Sequence, residues 1–138
     1  MDWMLEARMG AQIAYAALLG GLIGWEREDE DHAAGRATYA AVCLGACSFG
    51  LVSLHIGAAD PSRLAAQVVS GIGFLGGGVI LRDQGRVTGL TTAATLWATA
   101  SVGLATAYSM FVLGTLTMLI LGLFRRLEKR RKTGQSGR

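Results

Sequence analysis

Acidic residues crowd one short segment, "WEREDEDHAAGR" (25–36), where five carboxylates accompany Arg27 and His32. Oxygen ligands of this kind could attract a hydrated Mg²⁺ ion, which binds through few protein ligands and keeps several of its waters. A solvated acidic loop explains the same residues and is the more common case. The sequence therefore leaves two alternatives for this segment: a solvated loop, or a weak Mg²⁺ site at Glu26 with Asp83 as a second ligand.

The stretch "GIGFLGGG" (71–78) suggests a second chemistry, because Gly71, Gly73 and Gly76 match the spacing G-x-G-x-x-G. That spacing can cradle a dinucleotide pyrophosphate when a strand precedes it, a helix follows it and an acid lies about 20 residues on. Here the preceding run "RLAAQVVS" continues an apolar segment, and the downstream "TTAAT" holds no acid. No Lys-Ser/Thr pair follows either, so we reject a phosphate loop.

Catalytic and redox groupings are not apparent in the sequence. His32 and His55 are predicted on opposite sides of a membrane, and no serine or cysteine has a plausible base nearby. Cys43 and Cys47 lie four residues apart on one predicted helix, where disulfide geometry is seldom available. We interpret them as small packing residues, with a redox or metal role as the alternative. We therefore expect that the protein is not an enzyme and that it binds no cofactor other than a weakly held Mg²⁺.

The elements that carry these residues are predicted to be membrane-spanning helices. The chain is 51% hydrophobic and 17% charged, and residues 37–54 and 87–124 contain no charged residue or histidine. A bilayer core of ~30 Å needs about 20 apolar residues of helix. We predict an all-α polytopic membrane bundle of five helices, with a four-helix alternative in which one long tilted helix replaces the last two. The spans are 9–25, 37–59, 64–81, 90–106 and 110–124.

The basic residues predict the orientation. Of thirteen lysines and arginines, Arg8 and Arg63 fall on the opposite side from all the others. Because cytoplasmic segments carry the excess of positive charge, we predict the N-terminus outside and the C-terminus inside. The basic tail, 125–138, then lies against anionic headgroups. It accounts for most of the net charge of +3, so we expect no nucleic-acid partner.

Glycines are predicted to bring helices together, because association in lipid depends on close packing of small residues. Gly20 and Gly24 form one G-x-x-x-G pair, and Gly73 and Gly77 form another. We therefore expect the third helix to be the closely packed hub of the bundle. Unwinding at Gly76–Gly78, exposing carbonyls toward an ion, is the alternative. The predicted packing glycines are Gly20, Gly24, Gly71, Gly73, Gly76, Gly77 and Gly78.

Polar residues inside the spans need partners or a function, because they are costly in hydrocarbon. Arg63, Gln67 and Ser70 are predicted near the outer end of the third helix. Thr91 and Thr92 begin the fourth helix, where either could cap it. Threonines on this helix are otherwise expected to bond to carbonyls of their own helix.

A charged cluster at the cytoplasmic mouth of the bundle is the leading site hypothesis. Glu26 and Arg27 lie at the membrane boundary and could pair with Arg82 or Asp83, with Arg36 on the same side.

Three segments resemble the MgtC/SapB family of bacterial membrane proteins: "LIGWERE" (22–28), "VCLGA" (42–46) and "RLAAQVVSGIGFLGGGVILRDQGRVTGLTTAATLWATASVGLA" (63–105). Longer members add a cytoplasmic ACT-like domain, and this chain resembles the shorter, SapB-like members. By matching motifs, the resemblance implies candidate functional positions at Glu26, Arg27, Arg63, Gln67, Arg82, Thr91, Thr92 and Trp97.

The resemblance also implies a function. It indicates an inner-membrane protein tied to low-magnesium growth, acid stress and survival in host cells. It would act by regulating a larger membrane complex such as ATP synthase or a transporter. An alternative is a subunit that translocates Mg²⁺ or H⁺. The partners implied are the bilayer and another membrane protein or a second copy. One departure is "AGRATY", where Arg36 stands one place early and Ala37 occupies the position at which the family has arginine.

Overall fold

The computed structural model describes residues 2–25, 34–56, 60–83 and 86–135, with the backbone alone at Asp83 and from residue 128 onward. These residues form five helices and one short hairpin. In chain order they are α1 (Trp3–Trp25), α2 (Arg36–His55), α3 (Ser62–Gly78), β1 (Leu81–Asp83), β2 (Arg86–Thr88), α4 (Leu90–Ala107) and α5 (Phe111–Gln135). The predicted number of five helices is confirmed, and the long charge-free run divides at residues 108–110 as expected. That all five cross a membrane stays a prediction.

The first two helices run antiparallel and in close contact. Gly24, near the end of α1, lies against Arg36 at the start of α2, and Gly20 lies one turn further along against Cys43. The buried residues of both helices recur at intervals of three and four, the period that lines one helical face. Small residues at this interface allow the backbones to approach.

The helix α4 lies across α2 in the same direction, and this pair forms the centre of the bundle. Gly50 faces Ala107, and Gly103 faces the backbone of Cys43. The contacts advance along both helices together, so α2 and α4 are parallel. The helix α3 reaches α4 in the opposite direction through Gly76, whose α-hydrogen side faces Ala93.

The last helix returns beside the first. The hydroxyls of Tyr15 and Thr115 are 2.6 Å apart, and Nη1 of Arg125 donates to the carbonyl of Ile23 at 3.0 Å. The helices α1 and α5 are therefore parallel, and each helix runs opposite to the one before it. The beginning of α1 and the end of α5 lie at opposite ends of the bundle. Beyond its apolar part, α5 continues as helix through the predicted basic tail as far as Gln135.

The predicted third span differs from the structure at its C-terminal end. We expected helix to residue 81, but α3 ends at Gly78, and Leu81 begins a strand that pairs with Thr88. Successive glycines cost about 1 kcal/mol each in a helix, which favours termination there. The alternative of unwinding at Gly76–Gly78 is excluded, because these glycines form the last turn of α3.

Gly89 holds the hairpin against the end of α3. Its φ of 86° lies in the left-handed region, and a Cβ at this position would overlap the carbonyl of Val79. Only glycine meets both demands without strain. As the N-cap of α4, Gly89 occupies the capping position, so the predicted cap at Thr91 or Thr92 is wrong.

The third helix is not the hub that its glycines predict. A Cβ added to Gly71, Gly73, Gly77 or Gly78 would meet no atom within 4 Å, whereas one at Gly20 would lie 2.5 Å from the carbonyl oxygen of Tyr39. Among the described helices, the glycines in closest contact with another helix join α1 to α2 and α2 to α4.

The outer surface of the bundle is apolar. Phe74 on α3 is 86% exposed and Val112 on α5 is 74% exposed, and large apolar side chains continue along both helices. Contiguous apolar surface of this extent is typical of contact with a membrane or another protein. Among the described helices, α2 is the one whose length and hydropathy meet the requirements for crossing a bilayer.

Candidate functional site at the basic end of the bundle

Arginines gather at the end of the bundle where α1 stops, α2 begins and the hairpin joins α3 to α4. We call this the basic end, and its described arginine side chains are Arg36, Arg82, Arg86, Arg125 and Arg126. At the opposite end, the described lysine and arginine side chains are Arg8 and Arg63. The alternating directions of the helices thus bring together cations that are far apart in the sequence.

Arg36 links the end of α1 to the beginning of α2. Its guanidinium carbon lies 4.5 Å from the centroid of the Trp25 ring, within the range of a cation–π interaction. The contact depends on Gly24, because a Cβ there would lie 2.6 Å from the Cα of Arg36. The arginine that departs from the family pattern therefore has a defined place at the site.

Arg82 presents its exposed side chain from β1, where it is the partner of Val87 in the hairpin register. The predicted cluster also contains Glu26 and Arg27, which lie outside the described residues, and Asp83, for which the backbone alone is described. The structure thus places Arg36 and Arg82 at the same end, and their pairing with the acidic residues stays a prediction.

Arg125 contacts the C-terminal end of α1, an interaction that the sequence pattern does not predict. Its bond to the carbonyl of Ile23 satisfies one of the carbonyls left free at a helix C-terminus, where a cation is also favoured by the helix dipole. The sequence marks Arg125 as the first arginine after the apolar run of α5. Residue spacing alone does not identify its partner in α1.

Buried threonines form a stripe along α4. Thr92, Thr95 and Thr99 are all buried, and the hydroxyls of the last two donate to carbonyls one turn earlier at 2.6 and 2.7 Å. Thr106 repeats the pattern at 2.9 Å. These bonds follow the expectation that such hydroxyls bond within their own helix. Thr91, predicted beside them, is exposed.

Gln12 holds the opposite end of the bundle together. Its side-chain nitrogen, in a buried residue of α1, donates to the carbonyls of Thr106 at 2.8 Å and Ala107 at 3.1 Å. Arg8 reinforces the contact by donating to the hydroxyl of Ser109 at 2.9 Å. The last carbonyls of α4 are therefore satisfied by α1.

The polar residues predicted inside the third span lie on the surface of the bundle. Arg63, Gln67 and Ser70 are exposed along α3, and Trp97 on α4 is 56% exposed. They are placed to meet lipid, headgroups or another protein rather than the interior of this chain.

Comparison with known proteins decides the family. The model of the MgtC family matches residues 13–132, which is most of the chain. The chain belongs to the MgtC family. Protein MgtC of Brucella abortus (strain 2308) is 50% identical over 104 residues, covering 75% of this chain and 44% of that protein. Protein MgtC of Salmonella typhimurium (strain LT2) is 50% identical over 96 residues, covering 70% of this chain and 42% of that protein. The matches thus span less than half the length of these relatives, and no solved structure matches the chain.

Membership of the MgtC family confirms the resemblance. The structure shows which elements the longest of the three matching segments forms. The run 63–105 forms α3, the hairpin and nearly all of α4. These elements fold as one helix–hairpin–helix unit whose hairpin, with Arg82, lies at the basic end.

No group of three or more metal-ligating side chains (His, Cys, Asp or Glu) gathers in the part of the chain that the structure describes. The predicted weak Mg²⁺ site rests on Glu26, outside the described residues, and on Asp83. It stays a prediction for this MgtC-family chain.

Proposed function

We propose that this chain is a multi-pass protein of the bacterial inner membrane that regulates a larger membrane complex, in keeping with the MgtC-type role in magnesium homeostasis and in adaptation to acid and low-magnesium stress. Its N-terminus lies outside and its C-terminus in the cytoplasm. The basic end supports this orientation, because positively charged segments stay on the cytoplasmic side. The apolar outer surface supports contact with lipid along the helices.

The observation that supports a regulatory role is that buried polar side chains form hydrogen bonds within the bundle. Gln12 bonds to carbonyls of α4, and the buried hydroxyls of Thr99 and Thr106 bond to their own helix. Pathways for ions and protons in membranes are lined instead by acidic or histidine side chains, or by carbonyls of broken helices. Among the described residues, the buried polar and charged residues are Gln12, a serine and four threonines. This arrangement favours regulation over translocation.

A flux assay tests the proposal directly. Purified protein in liposomes that contain a fluorescent Mg²⁺ indicator should show the same Mg²⁺ entry as empty liposomes, and a pH indicator should show no added proton flux. Robust flux without any partner would overturn the regulatory role and favour translocation.

A capture experiment tests for the partner. Chemical cross-linking in native membranes followed by purification should recover one membrane protein in stoichiometric amount. Reversing the exposed charge at the basic end with Arg82→Glu should weaken the recovery, whereas Arg63→Glu at the opposite end is the matched control and should not. Equal recovery with both variants contradicts a partner site at the basic end.

A further inference from the structure

An apolar groove runs between α2 and α3 and is separate from the basic end. Its volume is about 330 Å³, at the small end of the ~300–1,000 Å³ range of ligand sites. Val42 and Phe49 of α2 form one wall, and Leu64 and Leu75 of α3 mark its two ends. Of the described residues that line it, Gln67 alone is polar.

The length of the groove limits what can fill it. At about 1.5 Å per residue, Leu64 and Leu75 are about 16 Å apart along α3. The hydrocarbon core is ~30 Å thick, so one leaflet is about half of that and matches the length of the groove. A partner's transmembrane helix would need a groove along the whole span. One acyl chain of a lipid in a single leaflet fits the length and the apolar lining.

A cation stands at the end of the groove where a headgroup would lie. Arg63 is exposed in the first turn of α3, one helical turn before Gln67 and therefore on the same side of the helix. Arginine can extend its charged group to headgroup level while its stem stays against apolar surface. Its charge and planar donors complement a phosphodiester.

The acid nearest to Arg63 in the chain is already engaged. The carboxylate of Asp60 accepts hydrogen bonds from the backbone nitrogen of Ser62 at 2.9 Å and from its hydroxyl at 2.6 Å. These bonds, with a smaller contribution from the charge of Arg63, hold the pKa of Asp60 below its ordinary value. The exposed guanidinium of Arg63 interacts with this carboxylate through charge, and its five N–H donors can also bind an anion from outside the chain.

We propose that the groove between α2 and α3 binds one acyl chain of a phospholipid whose phosphate is bound by Arg63. The site rests on the membrane placement proposed above, but it does not depend on the regulatory role. It assigns a binding role to Gln67, which is exposed, and to Gly71, where a Cβ would meet no atom within 4 Å.

A matched pair of glycine substitutions tests the groove. A Cβ at Gly71 or at Gly73 would meet no atom within 4 Å, so both positions tolerate a larger side chain, but Gly71 lines the groove and Gly73 does not. Phosphatidylglycerol is titrated into the purified full chain in detergent, and the bound lipid is counted by native mass spectrometry. Gly71→Leu should weaken binding of a single lipid by about tenfold or more, because leucine occupies the space of the acyl chain. Gly73→Leu should bind like the unchanged protein.

The charge at the end of the groove is tested with a second pair. Arg63→Gln should weaken phosphatidylglycerol binding by about fivefold, the effect of one basic residue at a membrane surface. Arg63→Gln should bind diacylglycerol with the same acyl chains as well as the unchanged protein does, because this lipid has no phosphate. Equal lipid affinity for Gly71→Leu and Gly73→Leu would overturn the proposal. So would a dimer that Gly71→Leu dissociates without altering lipid binding, since the groove would then hold a second copy.

Discussion

The chain contains two Gly-x-x-x-Gly pairs with opposite surroundings. On α1, a Cβ at Gly20 would lie 2.5 Å from the carbonyl oxygen of Tyr39, and one at Gly24 would lie 2.6 Å from the Cα of Arg36. On α3, a Cβ at Gly73 or Gly77 would meet no atom within 4 Å. Identical spacing therefore accompanies a close helix–helix contact in one case and an open surface in the other.

The difference shows that small residues permit close approach but do not supply the partner. The helices α1, α2 and α4, which we call the packed block, meet through glycines and alanines at Gly20, Gly50 and Gly103. The helix α3 and the hairpin, which we call the α3 unit, join this block through Gly76 and Ile72. The remaining face of α3 is left for lipid or another protein, so its glycines shape a surface rather than an interior.

The largest effect is expected from filling the contact between α1 and α2. Gly20→Leu should lower the free energy of unfolding by about 3 kcal/mol or more, because the obstructing atoms belong to the backbone and Cβ of α2 and cannot rotate away. Gly73→Leu should change it by less than about 0.5 kcal/mol. Reversible unfolding in mixed micelles, followed by circular dichroism, measures both. Equal losses would mean that the glycines of α3 are also packed within the chain.

The sequence predicted the positions of the helices better than the contacts between them. Charge-free runs and the length needed to cross a bilayer predicted five helices, and the division near Ser109 was correct. The hairpin was missed because its strands of three residues are too short for a periodic pattern. The role of Gly89 was missed because a positive φ arises from the path of the chain. The partners of Gln12 and Arg125 lie about a hundred positions away, and no local pattern specifies such contacts.

An intermediate effect is expected from the buried amide of the packed block. Gln12→Leu removes the donor for the carbonyls of Thr106 and Ala107, and should lower the free energy of unfolding by about 1 kcal/mol, as for other side-chain hydrogen bonds in membranes. Gln67→Leu is the matched control on the α3 unit, where the amide is exposed, and should change it by less than about 0.5 kcal/mol. A larger loss at Gln67 than at Gln12 would reverse the distinction between the two regions.

The smallest effect concerns the basic end, where both regions contribute an exposed arginine. Arg36→Ala removes the cation over the Trp25 ring and should lower the free energy of unfolding by about 0.5–1 kcal/mol, the range for exposed cation–π pairs. Arg36→Lys keeps the charge but loses the stacked plane, so it should recover part of that loss. Arg82→Ala on the α3 unit is the control and should have no measurable effect on unfolding in the same micelles. If Arg82→Ala costs as much as Arg36→Ala, the hairpin supports the packed block, and the separation drawn from the glycines does not extend to the basic end.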